Sequence, residues 1–310
     1  MLTDVAVNVR IGTRSSPMAM AQANRVAADL ARIDPTATVE VVSMTTTGDR
    51  WTGPLSELGG KGAFTKEVDT ALLDGSVDLC VHCVKDIPGD RDLPGDTVIP
   101  AYLTRDDVRD AVVQPDGLGL SQLPEGAVIG TSSPRRAAQL ALNWPGLRPM
   151  PVRGNANTRL AKLDAGDFDA LLLAVAGLER IGLTERITEI LDTDSVLPAV
   201  GSGTIALQCR GDDTVIRELA ARLDDPQTHR RTDAERAMLR ALGGHCHSPI
   251  AGYAVVEPDG RLALHGRVMS PDGKIILEAR AWHTDAEALG TGVADDLLSQ
   301  GAAEVIAAAG

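Results

Sequence analysis

Aromatic residues make up only 2% of this 310-residue chain, and its 30 Lys and Arg are outnumbered by 43 Asp and Glu, for a formal net charge of −13. A nucleic-acid binder needs a basic face and rings on which bases stack, so this composition argues against one. No apolar run approaches the roughly 18 residues that span a bilayer. The opening MLTDVAVNVRIG has no basic region followed by an apolar stretch and a cleavage site. These absences predict a cytoplasmic protein with neither a membrane nor nucleic acid as partner. Cysteine is scarce too: Cys80, Cys83, Cys209 and Cys246 are too few and too scattered for a disulfide scaffold. The expectation is reduced thiols.

What remains is ordinary globular material. Apolar residues at 44% and charged residues at 24% exclude both a disordered chain and a fibrous repeat. The length exceeds one typical domain and predicts two or three. Through the first two hundred residues, short β-rich runs alternate with helical stretches. VRIGT leads into a helix from Pro17 to about Arg32, TVEVVS is a strand, AFTKEVDTALL a helix and DLCVHCV a strand. This grammar implies largely parallel sheets covered by helices. It restarts near residue 109 with strands DAVV and AVIGT, a helix from Pro134 to about Leu142, a second from about Asn157 to Leu163, and strand DALLLAV. The segments SSPMAMAQ at 15–22 and SSPRRAAQ at 132–139 share SSPxxxAQ after a strand ending in Gly-Thr. The echo predicts two similar α/β lobes, unless common capping chemistry has recurred by chance. After residue 222 the pattern becomes a helix at 230–242, then strands PIAGYAVVE, RLALHGRVM and KIILEARAW, then a helix from about Thr284. The EPDGR and SPDGK turns mark hairpins, so a separate α+β domain with a three-stranded antiparallel sheet is expected.

In so acidic a chain, three arginine-bearing corners stand out: GTRSSP at 12–17, GTSSPRR at 130–136 and RGNANTR at 153–159. Arg135 and Arg136 fall in the opening turn of a helix, whose positive end favours anions and repels cations, so a bound anion is expected there. Arg14 and Ser16 hold the equivalent corner of the first half, and Arg153 and Arg159 flank a turn rich in Asn. In open α/β sheets such corners face the ligand crevice. Guanidinium forks match planar carboxylates, so several of them predict a ligand with several carboxylates or phosphates. For any single arginine, pairing with a nearby acid at a domain boundary is the competing explanation.

Three further segments carry candidate chemistry. GGKGAF at 59–64 lacks the spacing and the hydroxyl of a phosphate loop, and reads instead as a glycine-rich loop bringing Lys61 over a ligand. In HCVKDIP at 82–88 a strand ends in Lys85 and Asp86, where a carboxylate can stabilise a cation or shuttle protons; a solvated strand end is the alternative. Cys80 and Cys83 alternate to opposite strand faces and have no second CxxC, so they read as packing cysteines and no metal site is expected. Cys246 lies between His245 and His247 in a glycine-rich loop. Zinc ligation, an inert thiol and covalent attachment all remain open for it on these grounds.

In order along the chain, IGTRSSPMAMAQA, GGKGAFTKEVDTALL, VHCVKDIP, RDDVRDAVV, GTSSPRRAAQL, RGNANTRLAKL, LLLAVAGLERIGL, PAVGSG and ERAMLRALGGHCHSPIAGY resemble the porphobilinogen deaminase (hydroxymethylbilane synthase) family over essentially its whole length. The resemblance implies two periplasmic-binding-protein-like lobes around a cleft, residues 1–104 with 199–222 and residues 105–198, and a C-terminal α+β domain, 223–310. It implies a monomeric transferase that joins four porphobilinogen units head to tail, releases ammonia at each addition and hydrolyses the product to hydroxymethylbilane for tetrapyrrole (heme) synthesis. Cys246 would hold a dipyrromethane cofactor through a thioether. Asp86 would be the catalytic carboxylate, stabilising the cationic azafulvene left when the protonated amine departs. Lys85, Ser132, Ser133, Arg135, Arg136 and Arg153 fall on cofactor-binding positions. Arg14, Ser16, Arg153, Arg159 and Arg180 fall on substrate-binding ones, with Phe64 packing over a pyrrole and Lys61 in the mobile loop. Ser202 stands where the family usually has glutamine, His245 replaces a glycine, Cys83 a serine and Glu57 a basic residue. A non-catalytic polycarboxylate-binding protein of the same architecture is the main rival, and a diverged paralogue acting on altered pyrroles is a third reading.

Overall fold

The computed structural model describes residues 7–51, 62–244 and 248–309. From the N-terminus come β1 (Asn8–Arg14), α1 (Pro17–Ile33), β2 (Thr38–Met44), the single-turn α2 (Thr47–Arg50), α3 (Lys66–Leu73), β3 (Leu79–Cys83) and β4 (Thr97–Tyr102). A second run follows: β5 (Asp110–Val113), β6 (Val128–Gly130), α4 (Pro134–Asn143), β7 (Arg148–Met150), α5 (Ala156–Asp164), β8 (Ala170–Ala174), α6 (Val175–Arg180) and β9 (Glu189–Ile190). The chain then returns with β10 (Ile205–Arg210) and α7 (Thr214–Ala221), and ends in α8 (Pro226–Ala241), β11 (Ile250–Val256), β12 (Leu262–Met269), β13 (Ile276–His283), α9 (Ala286–Ser299) and α10 (Ala302–Ala309).

Two five-stranded sheets have matching plans, β2-β1-β3-β10-β4 and β7-β6-β8-β5-β9. In each, the first three strands run parallel, and the fourth place is taken by a strand antiparallel to both neighbours that enters from the other half of the chain. β1 and β6 occupy the same place in their sheets, and each leads into a helix begun by Ser-Pro. The SSPxxxAQ echo therefore marks structurally equivalent corners. Ser16 and Ser133 cap α1 and α4 by accepting the backbone N–H of Ala19 and Arg136, with proline opening each helix.

The third sheet, β11-β12-β13, is antiparallel and packs on α8 and α9 through Met238, Leu264, Val268, Val293 and Leu297. Two sequence expectations need adjustment here. α8 begins at Pro226, one turn before residue 230, because Asp225 caps it from an Asp-Pro start. The C-terminal helix is two helices, broken at Gln300 and Gly301, where Gly301 takes φ 98°. Burial of core side chains such as Ile11 and Leu79 in the first sheet, Leu30 on α1 against it, and Leu171 and Leu172 in the second sheet, contributes about 1.5–3 kcal/mol each.

The two segments crossing between the sheets are clamped to the third domain by a buried ion pair. Arg105 donates to both carboxylate oxygens of Glu235 on α8, at 2.7 and 3.0 Å. The same carboxylate accepts the backbone N–H of Gly201 and of Ala254, both at 2.8 Å. Every lone-pair direction is used, which is what makes a fully buried carboxylate tolerable. At Gly203, φ is +75° and a Cβ would stand 2.5 Å from the Asp106 carbonyl, so this crossing requires glycine. Among the described residues no helix is long and apolar enough to cross a membrane.

Candidate active site

The arginine-bearing corners converge on one cleft of about 840 Å³. Among the described residues its wall carries Arg14, Lys85, Arg135, Arg136, Arg153, Arg159 and Lys162 against two carboxylates, Asp49 and Asp86. In a protein of net charge −13 this is a deliberate concentration of positive charge. Ser16, Phe64, Ser132, Ser133 and Ser202 also line it. Lys61 and Cys246, with Glu57 and His245, lie outside the described residues.

Asp86 ends a short 3₁₀ turn, Val84–Asp86, that follows β3 directly. The turn redirects the chain, so Lys85 and Asp86 both reach the cleft. Asp86 Oδ2 accepts from Arg14 Nη1 at a loose 3.5 Å, and Asp86 has no other ion partner among the described residues. Arg14, at the end of β1, is held mainly by Asp49, through Nε to Oδ2 at 3.2 Å and Nη2 to Oδ1. Burial works against its charge, but Asp49 and Asp86 outweigh that and raise its pKa. Its guanidinium lies 4.5 Å over the Phe64 ring. That ring lies against Gly48, where a Cβ would fall 2.4 Å from Phe64 Cε1, so Gly48 must be glycine for the stack to form.

Arg135 and Arg136 are buried, and the anion expected at their helix start is internal. Asp110, the first residue of β5, receives Arg135 Nη2 at 2.7 Å and Arg136 Nη2 at 2.6 Å. Burial pushes the Asp110 carboxyl up, but the two guanidiniums overcome it and hold the pKa down to about 2. The helix start therefore does not depend on a bound ligand for compensation, which corrects the sequence argument. Two cations share one carboxylate, and one positive charge is left over. The signal in the sequence was an acid opening a wholly buried strand, DAVV.

Arg153 and Arg159 differ: neither has a carboxylate partner among the described residues. Arg153 Nη2 donates to the Trp51 carbonyl at 3.1 Å across the cleft, and Arg159 Nε to the Gly154 carbonyl at 2.8 Å. Burial, then repulsion from Arg136 and Arg153, pulls the Arg159 pKa down to about 10. The Nε atoms of Arg135, Arg136 and Arg153 are buried without a hydrogen-bond partner among the described residues. Such groups cost about 1–3 kcal/mol each until something accepts from them. A group bearing several carboxylates fits this wall.

Not every expected residue meets the cleft. Arg180 is held by Asp106 through Nε at 2.8 Å and Nη2 at 2.6 Å, and reaches the wall only through Cys83, whose Sγ lies 3.7 Å from Nη1. Ser132 does line the cleft, with its hydroxyl donated to the Val152 carbonyl at 2.5 Å. Cys83 is not a packing cysteine: its sulfur lies in the cleft wall and accepts from Gln22 Nε2 at 3.0 Å, whereas Cys80 is buried. Sequence reasoning missed Asp49, Asp106, Asp110, Lys162 and the buried His82, because their roles depend on contacts between distant segments. Among the described residues no group of three or more His, Cys, Asp or Glu side chains is placed to hold a metal ion.

Comparison with known proteins adds a second line. Residues 9–218 match the family model described as porphobilinogen deaminase, dipyromethane cofactor binding domain, and residues 230–299 match the porphobilinogen deaminase C-terminal domain. The chain belongs to the porphobilinogen deaminase family. It is 57% identical to porphobilinogen deaminase 2 of Streptomyces coelicolor over 96% of both chains. It is 48% identical to the porphobilinogen deaminase of Acidithiobacillus ferrooxidans over 96% of this chain and 97% of that one. Among solved structures, a periplasmic substrate-binding protein of an ABC transporter from Coxiella burnetii is similar at TM-score 0.43 and 18% identity, over 71% of this chain and 94% of that one. Membership of the deaminase family does not favour the non-catalytic binding protein. The cleft described above falls largely within the cofactor-binding match, and its unneutralised arginines suit the carboxylates of such a group.

Proposed function

We propose that this chain is a transferase that joins four porphobilinogen molecules head to tail, releases ammonia at each addition and hydrolyses the product to hydroxymethylbilane. The observation that carries the reading is a cleft where, among the described residues, seven cations face two carboxylates, Arg153 and Arg159 have no acidic partner, and Asp86 lines the same wall. Porphobilinogen bears an acetate and a propionate, so a growing chain gathers carboxylates. In this reading Lys85, Ser132, Ser133, Arg135, Arg136 and Arg153 hold the dipyrromethane and Cys246 bonds to it. When bound, that group supplies the primer onto which the first unit is joined. Arg14, Ser16, Arg153 and Arg159, with Lys61, receive the carboxylates of the incoming substrate, Phe64 covers its ring, and Arg180, held by Asp106, backs the wall through Cys83.

Asp86 is the catalytic carboxylate. As the protonated amine leaves, positive charge develops over the substrate's methylene and pyrrole, and a fixed anion lowers the energy of that charge without reorganising. The Arg14 contact is long enough to orient Asp86 without neutralising it. Asp49, by taking most of Arg14's hydrogen bonds, leaves Asp86 its negative charge for the substrate. The chain is divided as 1–104 with 199–222, 105–198 and 223–310, and acts as a cytoplasmic monomer without a nucleic-acid partner. The net charge of −13 and, among the described residues, the free thiols of Cys80, Cys83 and Cys209 support that setting.

Purified protein incubated with porphobilinogen tests the reading, with ammonia and uroporphyrin followed together. Ammonia and uroporphyrin should appear in about a four-to-one ratio. Neither appearing, or ammonia without a tetrapyrrole, would remove the proposed reaction. Asp86→Ala should fold normally and lose at least about 10²-fold in kcat; near-normal turnover would exclude Asp86.

A further inference from the structure

A second cavity, of about 590 Å³, lies away from the cleft, where the segment before β4 and β4 itself meet α8 and the start of α9. Its size is that of a small-molecule site. One buried polar atom in its wall, Arg236 Nη1, lacks a hydrogen-bond partner among the described residues, and a phenol stands near it. Tyr102 is 4% exposed and lines the cavity. Its backbone N–H bonds to Asp224 and its ring meets His229 edge-on at 4.8 Å, but its hydroxyl has no hydrogen bond among the described residues. Arg236 gives Nη2 to the Pro88 carbonyl at 3.3 Å, while Nη1 is buried with no partner among the described residues. Burial pushes the Tyr102 phenol up to about 12, so at neutral pH it is a neutral hydrogen-bond donor.

Arg236 Nη1 therefore calls for an acceptor, and an oxyanion can take a guanidinium N–H and a phenol together. The other side of the cavity has the opposite character. Asp92 and Asp233, both exposed, also line it, and neither forms an ion pair with an arginine or lysine among the described residues; Asp233 pairs with His229 at 3.6 Å and also feels the Arg236 charge. Of the other charges in the wall, Arg240 pairs with both oxygens of Glu287 at 2.8 Å, His229 Nδ1 with Asp224 at 2.8 Å, and Asp285 caps α9, while Arg91 adds a further cation.

We propose that this cavity is a binding site for a small amino-carboxylate. Its carboxylate is received by Arg236 Nη1 and the Tyr102 hydroxyl, and its ammonium faces Asp92 and Asp233. Nothing in the transferase reading requires the site, because none of these residues lines the catalytic cleft.

Calorimetric titration of the holoenzyme with γ-aminobutyrate, butyrate and butylammonium tests this. The expected result is saturable millimolar binding of γ-aminobutyrate that exceeds either single-charge analogue. Tyr102→Phe removes one hydroxyl and should weaken it about 5-fold, the size of one hydrogen bond, and Arg236→Gln should abolish it. Arg159→Gln, in the cleft, should leave it unchanged. The proposal is overturned by absent saturation, by butyrate binding as tightly, by a Tyr102→Phe titration identical to the parent, or by loss of binding in Arg159→Gln. Should Arg236→Gln fail to fold, the Tyr102→Phe titration still decides.

Discussion

Arg159→Gln should have opposite effects on the protein with and without its cofactor. Arg159 is held charged in a partly buried wall beside Arg136 and Arg153, and its pKa falls from 12.5 to about 10. A folded-state pKa below the unfolded one means that the charged form is penalised at every pH below about 10. At 1.36 kcal/mol per unit the penalty is roughly 3 kcal/mol at neutral pH. Losing the Nε bond to the Gly154 carbonyl offsets about 1 kcal/mol of this. Cofactor-free protein, prepared as Cys246→Ser, should therefore gain about 2 kcal/mol from Arg159→Gln, a rise of about 4 °C in Tm. In the cofactor-bound protein the same change deletes a guanidinium–carboxylate contact, and should lower Tm and raise KM. Differential scanning fluorimetry of both forms at pH 7 gives the four numbers. Equal destabilisation in both forms would refute the idea that Arg159 waits uncompensated for a ligand carboxylate.

Other consequences follow from single contacts. Asp110, held at about 2 rather than 3.8, contributes about 2 kcal/mol that is fully present above pH 4 and lost as pH falls toward 2; acid unfolding of Asp110→Asn should be flatter across that window, and an identical profile would dismiss the triad as a source of stability. Glu235→Gln leaves Arg105 buried with a neutral partner and should cost about 3–5 kcal/mol in urea unfolding; a change below 1 kcal/mol would mean the clamp at the crossings is unimportant. Gly48→Ala should displace Phe64 and with it the stack under Arg14, raising KM several-fold with little change in Tm; unchanged KM would detach Phe64 from substrate binding.

Much of the fold was legible because its signals are local. Ser-Pro helix starts, Asp-Gly hairpins and the period of the apolar residues placed most helices and all three strands of the third sheet. Short strands escaped: β7 and β9 carry three and two residues, and only pairing with β6 and β5 defines them. The cleft was legible in its cations and illegible in its anions. Arginine at a helix start is conspicuous in sequence because it opposes the local dipole. Asp49, Asp106 and Asp110 are unremarkable in sequence among 43 acidic residues, and only the tertiary structure brings each to its arginine. Among the described residues the arginines divide into those already compensated by a carboxylate and those, Arg153 and Arg159, without one. Cys83 shows the same limit: alternation put it on the face opposite Cys80, and only the tertiary structure shows that this face, at the end of β3, forms the cleft wall.

The account rests on a primer covalently held at Cys246 and extended one pyrrole at a time. Intact-mass spectrometry of denatured protein, before and shortly after addition of porphobilinogen, tests this most directly. The resting protein should exceed its polypeptide mass by two pyrrole units, lose that excess in Cys246→Ser, and show a ladder of further single-unit additions with substrate. An active protein with the bare polypeptide mass, or one whose mass stays fixed during turnover, would contradict the account.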